Sequence, residues 1–516
     1  MTAFTGADTH GRALRIASTL AAALALAACS DSGSQIGEGA ESLDLALRKV
    51  VTDHQLNRDP LANRTIPQIT DPLPQLGKEL FFTKALGGGM DSACVSCHHP
   101  TLGGADDLTL PIGVDAVAPD ILGKGRSHPS GVPNVPRNSP TVFNLALWDS
   151  VLFWDSRVES LSKTPGQNGA GGGIRTPDVV FGTSDPDAGG NLATAQARFP
   201  VTSSEEMKTH SFENGSPNSQ IRDHLAQRLG NYGAAAAELP PTDWLNAFQA
   251  AFNSTDTAEN LITYDNIALA LAEYERSMVF VNTPWSRFAA GDDSALNADE
   301  KNGAILFFSS VQDGGAGCVN CHAGPFFTNE LNTTVAFPQI GQGKGDDNGQ
   351  NDKDDFGRER VTADPADRYR FRVPSLINVA TTAPYGHAGA YETLEEVVRH
   401  YNNPQASVDR FFADGGVCQL DQFDGLANCA TLYPHAQTNS NLAVAKLRQE
   451  QQQGVSLLQN PQLNEQEIGQ VAAFLRALTD PCVTDRACLT PWIANPASAG
   501  RDGLQLNATD ASLNPL

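Results

Sequence analysis

Methionine is scarce in this chain of 516 residues: Met1, Met90, Met207 and Met278 are all it has, and none follows Cys318. Its later part therefore has no thioether donor to offer a metal. Positive charge is short as well, with Lys+Arg 35 against Asp+Glu 59. That excludes nucleic acid as an expected partner, because a phosphate backbone is met by clustered Lys and Arg. The acidity suits a basic docking partner such as a small cytochrome, and equally a surface that is merely well solvated. Alternating strand patterns are few, so the chain reads as mainly α with long loops, in two or three domains.

At the N-terminus, Arg12 and Arg15 precede "IASTLAAALALAAC". The apolar run is roughly a dozen residues, too short to span a bilayer. "LAAC" at Leu26–Cys29 resembles a bacterial lipobox. On that reading 1–28 is a lipoprotein signal peptide, Cys29 is lipidated, and 29–42 is a flexible tether. The alternative is an ordinary signal peptide cut nearby. Either way the mature protein is expected to be exported to the periplasm. Ser30 after Cys29 points to an anchor in the outer membrane, with contact to the membrane by lipid alone.

"CVSCH" at Cys94–His98 returns as "CVNCH" at Cys318–His322. In this pattern two thiols stand three apart and an imidazole follows directly. On one helical turn all three can face one object: the thiols form thioethers with a haem, and His98 or His322 supplies the proximal nitrogen. A disulfide, a zinc site or chance would be alternatives for one copy, but two copies in an exported chain point to two covalently bound c-type haems. His99 is read as a neighbour only. Of the nine cysteines, Cys29 and these four leave two close pairs. Proximity in an oxidising compartment suggests disulfides Cys418–Cys429 and Cys482–Cys488.

A repeat surrounds the two sites. "GKELFF" at Gly77–Phe82 precedes the first, and "GAILFF" at Gly303–Phe308 precedes the second. "ESLDLALRKVV" reads as the helix that opens the folded body. "YDNIALALAEYERSMVFV" places Ile267, Leu271, Tyr274 and Met278 on one helical face. Asn297 with Glu300, and Asn464 with Glu467, occupy capping-box positions. The stretch from Ser162 to Asn191 and the acidic "GQGKGDDNGQNDKDD" read as loop insertions. The second fails the EF-hand pattern and is expected to be solvated surface.

The ordered segments "LGKELFF", "CVSCHHPTLGG", "RNSPTVFN", "FWDSR", "FPVTSSEEM", "CVNCHAGPFFTN", "DDFGRERVTADPADRYRFRVPSL", "TAPYGHAG" and "LEEVVRHYN" resemble the bacterial di-haem cytochrome c peroxidases, including the MauG branch. The resemblance runs from about Leu76 to Asp480. It implies two cytochrome c-like haem domains, 43–275 (N-terminal, peroxidatic) and 276–495 (C-terminal, electron-transfer), followed by a tail, 496–516. It implies reduction of hydrogen peroxide at the haem of Cys94, Cys97 and His98, with electrons relayed through that of Cys318, Cys321 and His322. The tryptophan between them corresponds to Trp154, with Trp148 as the other candidate. The acid–base glutamate corresponds to Glu206, with Glu205 beside it. Asn138, Thr382 and the carbonyl of Pro384 match the calcium site of the family. A homodimer is compatible with the resemblance.

Two iron ligands are open questions. Family members that use methionine on the second haem carry it where this chain, aligned from His387, has Tyr401. That is the substitution of the MauG branch, and an anionic oxygen donor favours the oxidised metal. His400 is the competing ligand, and packing as an ordinary aromatic is the plain alternative for Tyr401. His128 lies near the loop where some members carry a removable distal ligand of the first haem. Ala388, Ser156 and Ile377 depart from the family pattern, and Ile377 stands where an arginine is usual. The electron donor is expected to be a small cytochrome c or cupredoxin, or else a protein substrate is oxidised. The alternative function is a di-haem electron carrier without peroxidase activity.

Overall fold

The structure, a computed structural model, describes residues 34–344 and 353–516, with side chains from Ser42 on. The signal peptide and Cys29 lie outside the described residues. Helix α1 (Ser34–Asp53) begins within the stretch expected to be a tether. Once Leu47 and Val51 are buried, extending a formed helix adds one hydrogen bond per residue fixed, so helical backbone reaches back to Ser34. Leu43–Leu516 form one compact unit.

The architecture of this unit is a helix pair built twice. Helix α2 (Pro72–Phe82) packs against α3 (Tyr264–Arg276), and α4 (Ala298–Phe308) packs against α6 (Glu465–Arg476), with α5 (Leu394–Asn402) alongside α6. The repeat explains the resemblance of the pairs. A Cβ on Gly77 would stand 1.9 Å from the Ala270 carbonyl oxygen, and one on Gly303 would stand 1.9 Å from that of Gln470. Only glycine lets the two backbones come so close. Both expected capping boxes form, Asn297 with Glu300 and Asn464 with Glu467.

Each pair carries its own apolar core. The first gathers Leu76, Leu80, Phe81, Trp244, Phe248 and Tyr274. The second is aromatic, with Trp285, Phe307, Phe308, Phe327 and Phe474 in mutual contact. Strands are two or three residues long. β1 (Val151–Leu152), β2 (Val158–Ser160) and β3 (Ile174–Arg175) form one antiparallel sheet. β4 (Asn332–Thr334) pairs with β5 (Arg370–Arg372), Asn332 opposite Arg372.

The chain end does not hang free. Val483, Leu489, Leu506 and Ala508 join the first core, and the Leu506 amide donates to the Phe82 carbonyl at 2.7 Å. Cys418 is bonded to Cys429, and Cys482 to Cys488.

Candidate functional site

Two cavities span about 1260 and 1750 Å³ of space between atoms, open solvent at their mouths included. Cys94, Cys97 and His98 line the first, and Cys318, Cys321 and His322 line the second. The first cysteine of each pair opens a single 3₁₀ turn, Cys94–Ser96 and Cys318–Asn320, and the second closes it. All four thiols are free, although the other cysteines that the structure describes are bridged. Burial pushes each thiol pKa up, that of Cys321 to about 11.

Each imidazole is held by one ring nitrogen, so that the other could hold a metal. His98 Nδ1 lies 3.1 Å from the Gly104 carbonyl oxygen, and His322 Nδ1 lies 3.1 Å from that of Phe327. Donation from Nδ1 leaves the Nε2 lone pair for a metal. Burial lowers both pKa values to about 4, so the rings are neutral. His99 lines neither cavity; its Nδ1 is held by the Thr101 hydroxyl at 2.8 Å. Unoxidised thiols beside a neutral imidazole, under apolar walls, fit a covalently attached haem, and the chain has this arrangement twice.

In the first cavity, Glu206 sits on a short π-helical turn, Ser204–Lys208, started by Ser203. Glu205 next to it faces a different cavity, with His128, His210 and Arg360. His128 therefore does not line the first cavity; its Nδ1 meets the Ser130 hydroxyl at 2.7 Å. Two groups without a signal in the sequence share the first cavity with Glu206. Lys344 comes from the acidic insertion expected to be solvated, and burial, with Arg157 adding repulsion, lowers its pKa to about 8. Glu275 has an oxygen with no partner, and burial raises its pKa to about 8.

The ends of that insertion are buried, a correction to the surface expected there. Asp355 meets the Arg137 guanidinium through two bonds of 2.7 Å, and Asp354 accepts from the Tyr369 hydroxyl at 2.7 Å. No local pattern marks this, because Arg137 is 218 residues away. Ser156 has φ of 56°, in the left-handed region that favours glycine, and its hydroxyl donates to Asn332 at 3.0 Å.

In the second cavity Tyr401 projects from α5 near its C-terminus. Burial, followed by the Cys321 and Cys318 thiols, pushes its phenol pKa up. His400 is committed elsewhere: Nδ1 meets the Tyr391 hydroxyl at 3.0 Å and Nε2 the Val335 carbonyl at 2.7 Å. Ile377 is buried against this cavity. Asn138, Thr382 and Pro384 line it too. The Asn138 amide donates to the carbonyls of Leu108 and Thr109, and the Thr382 hydroxyl to that of Val379.

The two cavities share a wall. Residues 138–141, Trp148, Trp154 and Arg372 line both. Trp154 Nε1 donates to the Asn138 carbonyl at 2.9 Å.

Such a paired arrangement defines a di-haem protein of the c type. The family model for di-haem cytochrome c peroxidases matches residues 72–294. The cytochrome c551 peroxidase of Pseudomonas aeruginosa is 31% identical over 337 residues, covering 65% of this chain and 73% of its own. The methylamine utilization protein MauG of Methylorubrum extorquens is 29% identical over 379 residues, 73% of this chain and 81% of its own. Among solved structures, a MauG-like protein associated with microbial copper homeostasis aligns at TM-score 0.51 and 20% identity, covering 83% of this chain and 96% of that one. The diheme peroxidase BthA of Burkholderia thailandensis aligns at TM-score 0.50 and 19% identity, covering 84% and 92%. The chain belongs to the di-haem cytochrome c peroxidase family. It is an oxidoreductase of the di-haem peroxidase type, with two covalently bound c-type haems and a mainly α fold. Among the described residues no helix is long and apolar enough to cross a membrane.

Proposed function

We propose that the protein reduces hydrogen peroxide at the site of Cys94, Cys97 and His98, drawing electrons through the site of Cys318, Cys321 and His322. The observation that carries this reading is the unlike lining of the two cavities: a carboxyl group, Glu206, in the first and a phenol, Tyr401, in the second. Bound haem supplies the iron on which the O–O bond is broken. Glu206 moves a proton from one peroxide oxygen to the other, the task a partly desolvated carboxylate performs at neutral pH. Lys344 adds a positive charge to the same space. Tyr401 would be the second protein residue to hold the second iron, giving up its phenolic proton to do so. A phenolate favours the oxidised metal, whereas a methionine would raise the potential. Trp154 carries electrons across the shared wall.

The domains at 43–275 and 276–495 divide this labour. Export with a lipid anchor at Cys29 places the enzyme in the periplasm. A net charge of −24 suits a small basic donor protein. Calcium, if bound through Asn138, Thr382 and Pro384, would meet neutral oxygen donors only.

Mixing the oxidised holoprotein with peroxide tests the reading. A rapid change of the haem absorption spectrum is expected, and a protein whose spectrum stays still is an electron carrier instead. Resonance Raman and EPR spectra of the resting protein are expected to show two different iron environments. The spectrum of the second should change in Tyr401→Phe.

A further inference from the structure

Both tryptophans of the shared wall line both cavities, so position alone does not say which of them passes electrons. Their nearest polar partners differ, a cation over the Trp148 face and a carbonyl on the Trp154 indole N–H. Arg372, at the end of β5, is 6% exposed, and its guanidinium carbon stands 3.8 Å from the centroid of the Trp148 ring. It is held there from two sides. Its amide donates to the Trp154 carbonyl at 2.8 Å, and Nε donates to the Phe153 carbonyl at 3.2 Å. Its Nη1 is buried without a partner. Trp154 has an acceptor instead, the Asn138 carbonyl on its indole N–H.

A cation over an aromatic face is attracted by the electron density of the ring. Taking one electron from that ring turns the attraction into repulsion between two positive charges in a poorly screened interior. An indole N–H that donates to a carbonyl behaves oppositely, since the bond strengthens when the indole becomes positive. We propose that Arg372 is a positioning residue that selects the relay: it makes Trp148 hard to oxidise and leaves Trp154 as the residue through which electrons cross. This rests on the peroxidase reading above. Peroxide takes two electrons and two protons and becomes two waters. Each electron leaves the Trp154 indole towards the first site and is replaced by one from the second, so the indole ends unchanged.

The test treats holoprotein with hydrogen peroxide in the absence of a donor. Oxidised tryptophans are mapped by tandem mass spectrometry, and the indole radical is followed by freeze-quench EPR. In the wild type and in Arg372→Lys, oxidation at Trp154 should exceed that at Trp148 by about tenfold or more, the ratio expected of a desolvated cation–π contact. In Arg372→Gln, Trp148 should approach Trp154. The radical signal should vanish in Trp154→Phe and return in Trp154→Phe combined with Arg372→Gln. Equal oxidation of the two residues in the wild type overturns the proposal even if the glutamine variant fails to load haem. An unchanged ratio in a haem-loaded Arg372→Gln overturns it as well. A wild type that does not react with peroxide at all overturns the function proposed above, and this selection with it.

Discussion

Glu205 and Glu206 show how one position of difference becomes a difference of role. Ser203 starts a turn that sends Glu206 into the first cavity and Glu205 into the neighbouring one. Glu206→Gln keeps the size and loses the proton, so peroxide turnover should fall by roughly 10² to 10⁴-fold while haem content stays that of the wild type. Glu205→Gln should cost far less, and equal losses in steady-state assays would contradict the assignment. Tyr401 and His400 make a similar pair. Both His400 nitrogens are bonded within the fold, whereas the Tyr401 phenol faces the cavity. Tyr401→Met should therefore raise the midpoint potential of one haem in a spectroelectrochemical titration and leave the other unmoved. Both irons shifting, or neither, would count against Tyr401. Scarcity of methionine points towards this residue. Lys344 and Glu275 give no such signal, because nothing local distinguishes a buried Lys or Glu from a solvated one.

At the scale of elements, the repeat before each CxxCH turn has a mechanical meaning that periodicity alone does not express. Gly77 and Gly303 set the contact distance of α2 on α3 and of α4 on α6. A methyl group at either position meets backbone, which cannot rotate away. Gly77→Ala or Gly303→Ala should cost about 1–3 kcal/mol, seen as a lower melting temperature. Gly469, within α6, has open space where a methyl group would stand, with nothing inside 4 Å. Gly469→Ala should instead stabilise by about 0.4–1 kcal/mol, through lost freedom of the unfolded chain. The contrast separates close helix contact from a general dislike of alanine. Helices, their caps and both CxxCH turns are legible in the sequence because their signals lie within one or two turns of chain. The tail over 496–516 is not: it is polar and irregular, and its order comes from distant contacts, with Leu506 and Ala508 in the first core and backbone bonds to Phe82, Lys84 and Leu122.

Across the whole molecule, ordering depends on contacts between distant segments. Arg137 donates to Asp155 at 2.7 Å and to Asp355 at 2.7 Å, with all three side chains buried. The triad ties the loop before the three-stranded sheet, and the turn between β1 and β2, to the end of the acidic insertion. Burial alone would push both carboxyls up, but Arg157 and Arg137 hold Asp155 low, and Arg137 holds Asp355 low. A carboxylate with a depressed folded pKa stabilises above its unfolded value of about 3.9, and that contribution is lost as pH falls through the folded value. The tie is thus at full strength at neutral pH and fails only in strong acid. Arg137→Met removes the shared partner and leaves buried carboxylates behind, a loss of about 3–5 kcal/mol at pH 7. Its pH dependence should have the opposite sign. With Arg137 gone, burial favours the protonated form of Asp355, so acid relieves the penalty. The gap in melting temperature between wild type and variant should narrow from pH 7 towards pH of about 4. A gap that stays constant over that range would mean that the two aspartates are solvated and that the triad does not hold the two halves together.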